Sequence, residues 1–321
     1  MAISHAGVML ALALAIDCAF GEPPNRLHPV AWFGSLVTRV RTTLPLRPAL
    51  AALLGGVVLL LAGFGCVGSL WLVDVLLRAR APFLTDLLAL FWLQASFAGR
   101  GLLTAGSVVE RALVAGDLPR ARAGLGALCS RDPSALSESE VAGAATSSLA
   151  ENLSDSVVAP LFFYALFGLG GALAFRVVNT LDAMVGYRGR YEWLGKPAAR
   201  LDDLLGLVPA RLSVGLLALA ARVLRLPVRR GLRVAWRDAK NTASPNAGFP
   251  MAMTAGVLGV RLEKPGHYVL GAEGDAPTAA ALTHARQLVG VAAILAGVAT
   301  LLVTCVSGVA RSVWQPMGWP W

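Results

Sequence analysis

The sequence predicts an all-α, polytopic membrane protein with about four to six membrane-associated helices and polar helical loops. Its residues are 56% hydrophobic and only 15% charged, whereas soluble domains carry about 25% charged residues. Uncharged runs at 48–73, 156–175 and 287–310 are each about long enough to cross a hydrocarbon core of ~30 Å as a helix. We therefore expect a single integral membrane domain over 1–321, with several passes through the cell (inner) membrane.

Shorter apolar segments supply the remaining candidate helices. The segment at 7–20 resembles a signal peptide, but it lacks a basic n-region and a small-residue cleavage site. It is interpreted as a retained first helix. Two further segments, 82–99 and 203–226, are weaker candidates because charged residues interrupt them.

A polar helical insertion is predicted at about 100–155. Within it, Ser137 and Glu140 have the spacing of a capping box, so a helix should begin near Ser137. At ~100° per residue, polar side chains from Glu140 to Asp155 share one face of this helix and apolar side chains occupy another. The polar face ends where the apolar run at 156–175 begins.

The order of the loops leaves two topologies open. Simple alternation of spans places the basic loops 100–155 and 180–202 on opposite sides of the membrane. Either the run that begins at 156 is re-entrant or packed within the protein, or the positive-inside signal is weak here.

A polar loop is predicted at about 227–286. Residues 241–260 within it carry no charge, but their prolines, glycines and amides indicate a loop rather than a span. The net charge is +9, and twelve basic residues lie from Arg188 to Lys240. In a membrane protein such clustering is typical of cytoplasmic loops, so no nucleic-acid partner is expected.

Glu151 and Asp155 form the first candidate site. The two carboxylates are four residues apart on a helix, with Asn152 beside them. Like charges at this spacing repel each other, and carboxylate oxygens are suitable ligands for Mg²⁺. A role at a helix terminus or in an interhelical hydrogen bond is the alternative.

Two further polar clusters flank the later apolar segments. Asn179 and Asp182 share a helical face just before Tyr187, where a helix cap at the membrane boundary is the other interpretation. Asp202 and Asp203 lie beside an apolar segment, where charges that enter the membrane are costly and indicate function; snorkelling at the interface is the alternative.

Basic and turn-forming residues could bind an anion. Arg211 follows the acidic pair, and Lys240 precedes a Ser244-Pro-Asn246-Ala-Gly turn whose donors could hold a phosphate. An ordinary turn is the simpler interpretation of that segment. His28 lies in a rigid proline-rich loop, where a structural donor is the usual role.

A phosphate-binding P-loop is excluded for 189–197. The segment has one intervening residue too many, and Pro197 stands where Ser or Thr would bind Mg²⁺.

Taken in order, these segments resemble the adenosylcobinamide-phosphate synthase family, the CobD/CbiB-type membrane proteins of cobalamin biosynthesis. The resemblance covers roughly residues 10–262, and several ordered motifs are more specific than any one of them. The motifs are Asp17-x-x-x-Gly21-Glu-Pro through His28-Pro-Val, Glu151-Asn-x-x-Asp155 through Ala159-Pro-Leu, Asn179-Thr-Leu-Asp182-x-Met-Val-Gly-Tyr187, Arg200-Leu-Asp-Asp203 through Pro209-Ala-Arg211, and Ser244-Pro-Asn246-Ala-Gly248.

The resemblance implies an ATP-dependent acid–amine ligase. It would join adenosylcobyric acid, a corrinoid, to aminopropanol phosphate, with ATP and Mg²⁺ as cofactors. The partners that the resemblance suggests are the lipid bilayer and other membrane-bound cobalamin assembly enzymes.

The resemblance also suggests roles for the polar residues. Glu151, Asp155 and Asp182 are the catalytic candidates, and the first two are the metal ligands. Substrate binding is assigned to His28, Asn152, Asn179, Tyr187, Asp202, Asp203, Arg211, Lys240, Ser244 and Asn246.

Two positions depart from the family pattern. Thr242 stands where the pattern often has His, and Met251 stands where it has Glu, so no role is carried over to either. A membrane transporter and a non-catalytic signalling or assembly relative of the AmpE type are the alternative functions. The transporter predicts ligand flux without an ATP-dependent product, and the relative predicts that the polar motifs tolerate substitution.

Overall fold

The computed structural model describes residues 4–23, 26, 47–129, 132–186 and 192–307. Within these ranges the chain is almost wholly helical, with one two-stranded antiparallel hairpin. The helices are α1 (His5–Phe20), α2 (Pro48–Leu77), α3 (Pro82–Gln94), α4 (Gly99–Val114), α5 (Leu118–Leu125), α6 (Glu138–Leu153), α7 (Ala159–Val185), α8 (Glu192–Leu205), α9 (Leu207–Val223), α10 (Val228–Asp238), α11 (Gly248–Leu258) and α12 (Ala279–Ser307). A π-helical turn covers Ser154–Val158, a 3₁₀ turn covers Ala239–Asn241, and the strands are β1 (Leu262–Lys264) and β2 (Tyr268–Leu270).

The polytopic class predicted from the sequence is confirmed. By length and composition, 4 stretches of the described chain can cross a membrane, and α8 with α9 bring the count to 5 if taken as one span. The stretches are Pro48–Leu77, Pro82–Val114, Glu138–Val185 and Ala279–Cys305. On α2, Leu61 and Phe64 are 69% and 74% exposed, as expected for side chains that face lipid.

The chain forms two compact units. The first contains Met1–Ala98, Ala159–Leu205 and Ala299–Trp321, and the second contains Gly99–Val158 and Gly206–Val298. The predicted insertion at 100–155 contains most of α4 together with α5 and α6. The predicted polar loop at 227–286 contains α10, α11, the hairpin and the start of α12.

In the first unit, α2, α7 and α8 pack around a shared apolar core. Leu59 of α2 meets Leu181 of α7 and Ala198 of α8 there. A Cβ at Gly55 would collide with the carbonyl oxygen of Leu194, so glycine lets α2 and α8 approach closely. This packing sets α8 alongside the C-terminal half of α7.

Helix α7 is interrupted in its apolar half. Gly168 has φ 64°, which lies outside the helical region and strains any residue with a Cβ. The apolar run that begins at 156 therefore does not form one straight helix.

In the second unit, α6 is a core helix of small residues. Every side chain from Val141 to Ala150 is buried, and α6 packs against α4, α11 and β1. Ser148 Oγ donates to the Leu128 carbonyl at 2.7 Å. The predicted capping box is present: the Ser137 amide donates to the Glu140 carboxylate at 2.8 Å, and the Glu140 amide donates to Ser137 Oγ at 3.4 Å.

The prediction of a loop over 241–260 is wrong for the second half of that segment. Residues Gly248–Leu258 form α11, which is buried almost throughout. Pro250 is tolerated because it lies in the first turn, where the backbone amide has no helical partner. The segment lacks charge because it lies in the protein core.

Helices α10 and α11 cross at glycines. A Cβ at Gly256 would lie 2.8 Å from Cα of Gly231, so both helices need glycine at the contact. Arg230 Nε donates to the Gly256 carbonyl at 2.6 Å, and its Nη2 donates to Val257 at 3.1 Å. This guanidinium therefore caps the C-terminal end of α11, where positive charge is favoured.

Asp238 ties the end of α10 to the segment after the hairpin. Arg237 Nε and Nη2 donate to its two carboxylate oxygens at 2.6 and 3.0 Å, and the Gly271 amide donates at 2.8 Å. The hydrogen-bonded Arg237 guanidinium lowers the pKa of Asp238 below its ordinary value. The charged carboxylate is thus stabilised in the folded protein.

Substituting Asp238→Asn should lower the free energy of unfolding by about 1–3 kcal/mol, since a buried charged acceptor is lost. A carboxylate whose folded-state pKa is lowered stabilises the protein above its unfolded-state pKa of about 4. That stabilisation is lost as pH falls through the folded-state pKa. Thermal unfolding in detergent should show a lower midpoint for the variant at pH 7 and a smaller difference in acid.

Glu273→Gln is the matched control. Glu273 also accepts from Arg237, at 2.7 Å, but its side chain is 82% exposed, so its loss should change stability little. An Asp238→Asn midpoint equal to that of wild type at pH 7 would contradict the structural role of the carboxylate.

Candidate functional site

The Glu151 motif lies where the helical geometry changes. Glu151 and Asn152 close α6, and Asp155 lies in the π turn that follows. Pro160 explains the turn, because in a regular helix its ring would collide with the carbonyl four residues earlier and no amide could bond to it. Such π turns occur frequently at functional sites.

The side chains of this motif are half-buried and partly held in place. Glu151, Asn152 and Asp155 are all intermediate in exposure. Asn152 Nδ2 donates to the Ser148 carbonyl at 2.9 Å, and its Oδ1 accepts from Ser156 Oγ at 3.5 Å. Asn152 is therefore oriented by its own helix.

Helix α9 brings Arg211 to this part of the second unit. It packs against the π turn and against α11. Arg211 Nη1 donates to Asn246 Oδ1 at 2.8 Å, and Nη2 donates to the Pro245 carbonyl at 3.3 Å. Its guanidinium lies 4.0 Å from the centre of the Phe249 ring. Arg211 and Asn246, two predicted substrate-binding residues from separate motifs, are thus in direct contact.

The contacts of Arg211 are all to neutral groups. A third hydrogen bond runs from Nη1 to the Leu207 carbonyl at 3.0 Å, and none of the ion pairs in the described ranges includes Arg211. A guanidinium has five N–H donors, so Nε and one Nη2 proton stay available beside the three bonds. An exposed, oriented guanidinium with an uncompensated charge suits a phosphate or carboxylate.

Ser244 and Thr242 make hydrogen bonds within the turn itself. Ser244 Oγ accepts from the backbone amides of Asn246 and Ala247 at 3.2 and 3.3 Å. Thr242 Oγ1 lies 2.8 Å from the Ser244 carbonyl, to which it donates. Lys240 lies on the 3₁₀ turn with its side chain exposed.

The first unit holds a second group of predicted residues. Asn179 Nδ2 on α7 donates to Asp202 Oδ1 on α8 at 3.2 Å. Asp203 lies close enough to Asp182 for their charges to repel. A Cβ at Gly186 would collide with the Asp182 carboxylate, so glycine is needed there. The structure therefore gathers Asn179, Asp182, Asp202 and Asp203.

Sequence reasoning missed three charged residues in the first unit. Asp17 is buried at the end of α1, and Glu22 follows it. Burial raises the pKa of Glu22; the Arg176 charge opposes this shift and the Asp17 charge adds to it. Arg176 is one turn before Asn179 on α7. Asp17 and Glu22 belong to the first of the five family motifs, and that motif is the sequence feature that could have identified them.

Two predicted residues, His28 and Tyr187, lie outside the described ranges. In the described part of the chain, no group of three or more His, Cys, Asp or Glu residues is placed to hold a metal ion. The Glu151 and Asp155 carboxylates are nevertheless of the donor type that Mg²⁺ takes, since it often binds one or two carboxylates and completes its shell with phosphate oxygens and water.

Comparison with known proteins identifies relatives along most of the chain. The sequence model described as CobD/Cbib protein matches residues 10–292. "Cobalamin biosynthesis protein CobD" of Dehalococcoides mccartyi is 41% identical over 276 residues, covering 81% of this chain and 85% of the relative. A "Probable cobalamin biosynthesis protein CobD" of Methanothrix thermoacetophila is 37% identical over 308 residues, covering 92% and 96%.

A third relative carries the other family name. "Cobalamin biosynthesis protein CbiB" of Salmonella choleraesuis is 38% identical over 261 residues, covering 80% of this chain and 82% of the relative. No solved structure matches the chain.

Proposed function

Because the chain belongs to the CobD/CbiB protein family, we propose that it is an adenosylcobinamide-phosphate synthase of cobalamin biosynthesis. The observation that carries this proposal is that the family match spans every polar cluster described above, including Arg211 and Asn246 in direct contact. An oriented guanidinium supports a phosphate-bearing substrate. The lipid bilayer is the environment in which the corrinoid would be modified.

The proposed reaction joins a carboxylate to an amine. The free propionate of adenosylcobyric acid would bond through oxygen to the γ-phosphorus of ATP as ADP leaves. The amine nitrogen of aminopropanol phosphate would then bond to the carbonyl carbon as inorganic phosphate leaves. Activation is required because a carboxylate does not react with an amine directly.

We assign a separate role in this reaction to each group of candidate residues. Glu151 and Asp155 would hold Mg²⁺, which neutralises the phosphate charge that develops. Asp182 is our candidate to accept the proton released by the amine. Arg211, oriented by Asn246, would bind the phosphate of the amino-alcohol substrate or a polar side chain of the corrin.

Complementation tests this function in cells. A bacterium deleted for its own family member, and dependent on cobalamin for growth, is supplied with adenosylcobyric acid. We expect growth when this chain is expressed and none with an empty vector, while adenosylcobinamide supports both strains. If the chain reaches the membrane and the strain still fails on adenosylcobyric acid alone, the proposal is wrong.

Phe249→Leu should remove the cation–π contact that helps to orient the Arg211 guanidinium, without unfolding the site. A cation–π contact at an exposed position contributes about 0.5–1 kcal/mol, so KM for aminopropanol phosphate should rise about two- to fivefold while kcat stays. Phe249→Tyr keeps the ring and is the matched control. Equal KM values in steady-state assays of wild type and Phe249→Leu would remove Phe249 from the site.

A further inference from the structure

The corner between α9 and α10, residues 222–236, carries features that the proposed synthase reaction does not use. Helix α9 exposes apolar side chains along its length: Leu212, Leu219 and Val223 are 44%, 57% and 63% exposed. Such a face suits lipid chains. Four residues separate the end of α9 from the start of α10, where the composition becomes basic.

Arg225 holds an unusual backbone conformation in this corner. Its φ is 58°, and among the described residues it is the one non-glycine with positive φ. The Leu226 amide donates to the Ala221 carbonyl at 2.8 Å, which closes the end of α9 as a left-handed C-terminal cap does. Glycine would adopt this conformation with less strain. The fold therefore does not explain why an arginine occupies the position.

Helix α10 packs one face against the protein and exposes the opposite face. Gly231, Val234 and Ala235 are buried. On the exposed side, Leu232 and Trp236 are one turn apart and 45% and 87% exposed. Beside this apolar row runs a basic row, in which Arg229 and Arg233 are also one turn apart and exposed.

The arginines of this region fall into two classes. Arg230 caps α11, and Arg237 pairs with Asp238 and Glu273. Arg222, Arg225, Arg229 and Arg233 are all exposed, and in the described part of the chain none of the ion pairs includes them. Their charges are therefore available to an external anion.

We propose that the α9–α10 corner binds anionic phospholipid headgroups of the surrounding bilayer. The arginines would pair with headgroup phosphates, since guanidinium groups bind phosphate in a bidentate manner. Trp236 and Leu232 would enter the interfacial layer, where Trp is enriched in membrane proteins. The apolar face of α9 leads directly into this layer, and this continuity favours lipid over an acidic protein or a nucleic acid.

The first test measures affinity for a defined lipid. Full-length protein in a neutral detergent is titrated with phosphatidylglycerol or with phosphatidylcholine, and bound lipid is counted by native mass spectrometry. A basic residue near the headgroups contributes about fivefold in affinity for anionic lipid. The pair Arg229→Gln and Arg233→Gln should therefore weaken phosphatidylglycerol binding about 25-fold. The exposed Arg120→Gln on α5 should leave it unchanged.

Arg225→Gly separates lipid binding from folding. Glycine relieves the positive φ, so the thermal midpoint should stay or rise, while affinity for phosphatidylglycerol should fall about fivefold. Wild-type affinity in this variant, or in the Arg229/Arg233 double variant, would overturn the proposal. If Arg225→Gly lowers the thermal midpoint instead, the affinity of the Arg229/Arg233 double variant for phosphatidylglycerol alone confirms or overturns the proposal.

Trp236 reports where the lipid binds. In vesicles that contain brominated phosphatidylglycerol, the difference in tryptophan quenching between wild type and Trp236→Phe should exceed that with brominated phosphatidylcholine. Equal quenching by the two lipids would overturn the headgroup preference. Neither experiment requires synthase activity, so its outcome is independent of the proposed function.

Discussion

Glu151→Gln should reduce the proposed amide synthesis by about a hundredfold or more, because the variant would lack a proposed ligand of the Mg²⁺ ion that would neutralise the developing phosphate charge. Asp155→Asn should have a similar effect. Glu151 and Asp155 flank the start of the π turn and are both half-buried. The measurement is the initial rate of product formation in detergent at several Mg²⁺ concentrations.

A role in metal binding has its own signature. If Glu151 holds Mg²⁺, the variant should need more Mg²⁺ for half-maximal rate, and high Mg²⁺ should restore part of the activity. Glu138→Gln is the matched control, since it removes the same charge from an exposed position in the first turn of the same helix. Full activity in Glu151→Gln at ordinary Mg²⁺ would remove this residue from the catalytic set.

Arg211→Lys should lower kcat/KM for aminopropanol phosphate about 10- to 100-fold. Lysine keeps the positive charge but loses the planar fork that donates to Asn246 and Pro245. Hydrogen bonds to charged groups contribute about 1.5–3 kcal/mol, which sets this range. Steady-state kinetics with varied aminopropanol phosphate measure the effect, and the exposed Arg120→Lys is the control.

Asn246→Asp sharpens the test of Arg211. The substitution is nearly isosteric and places a carboxylate on the Nη1 donor, so the guanidinium charge would be compensated internally. KM for the phosphate substrate should therefore rise, while a substrate without phosphate should be unaffected. Unchanged KM in both variants would assign Arg211 to the fold alone.

The sequence predicted best what depends on neighbouring residues. The capping box at Ser137 was predictable because both of its hydrogen bonds join residues three apart. The spans were predictable because uncharged length is a local property. The π turn at Ser154–Val158 was not predicted, although Pro160 is a local cause for it.

Features that depend on long-range packing were not predictable. Helix α11 resembles a loop in composition, and only its burial among α6, α9 and α10 explains the helix. Arg211 and Asn246 were both predicted to bind substrate, but they are 35 residues apart in separate motifs, and no residue spacing places them in contact. The approach of Glu22 to Arg176 likewise follows from packing in the first unit, which no residue spacing reveals.

The most direct test of the synthase function uses purified protein and defined substrates. The protein in detergent is given adenosylcobyric acid, aminopropanol phosphate and Mg-ATP, and the amide product is sought by mass spectrometry. We expect a product of the mass of adenosylcobinamide phosphate that is absent without ATP and strongly reduced in Glu151→Gln. Folded protein that forms no such product from intact substrates would contradict the synthase function and favour transport or signalling.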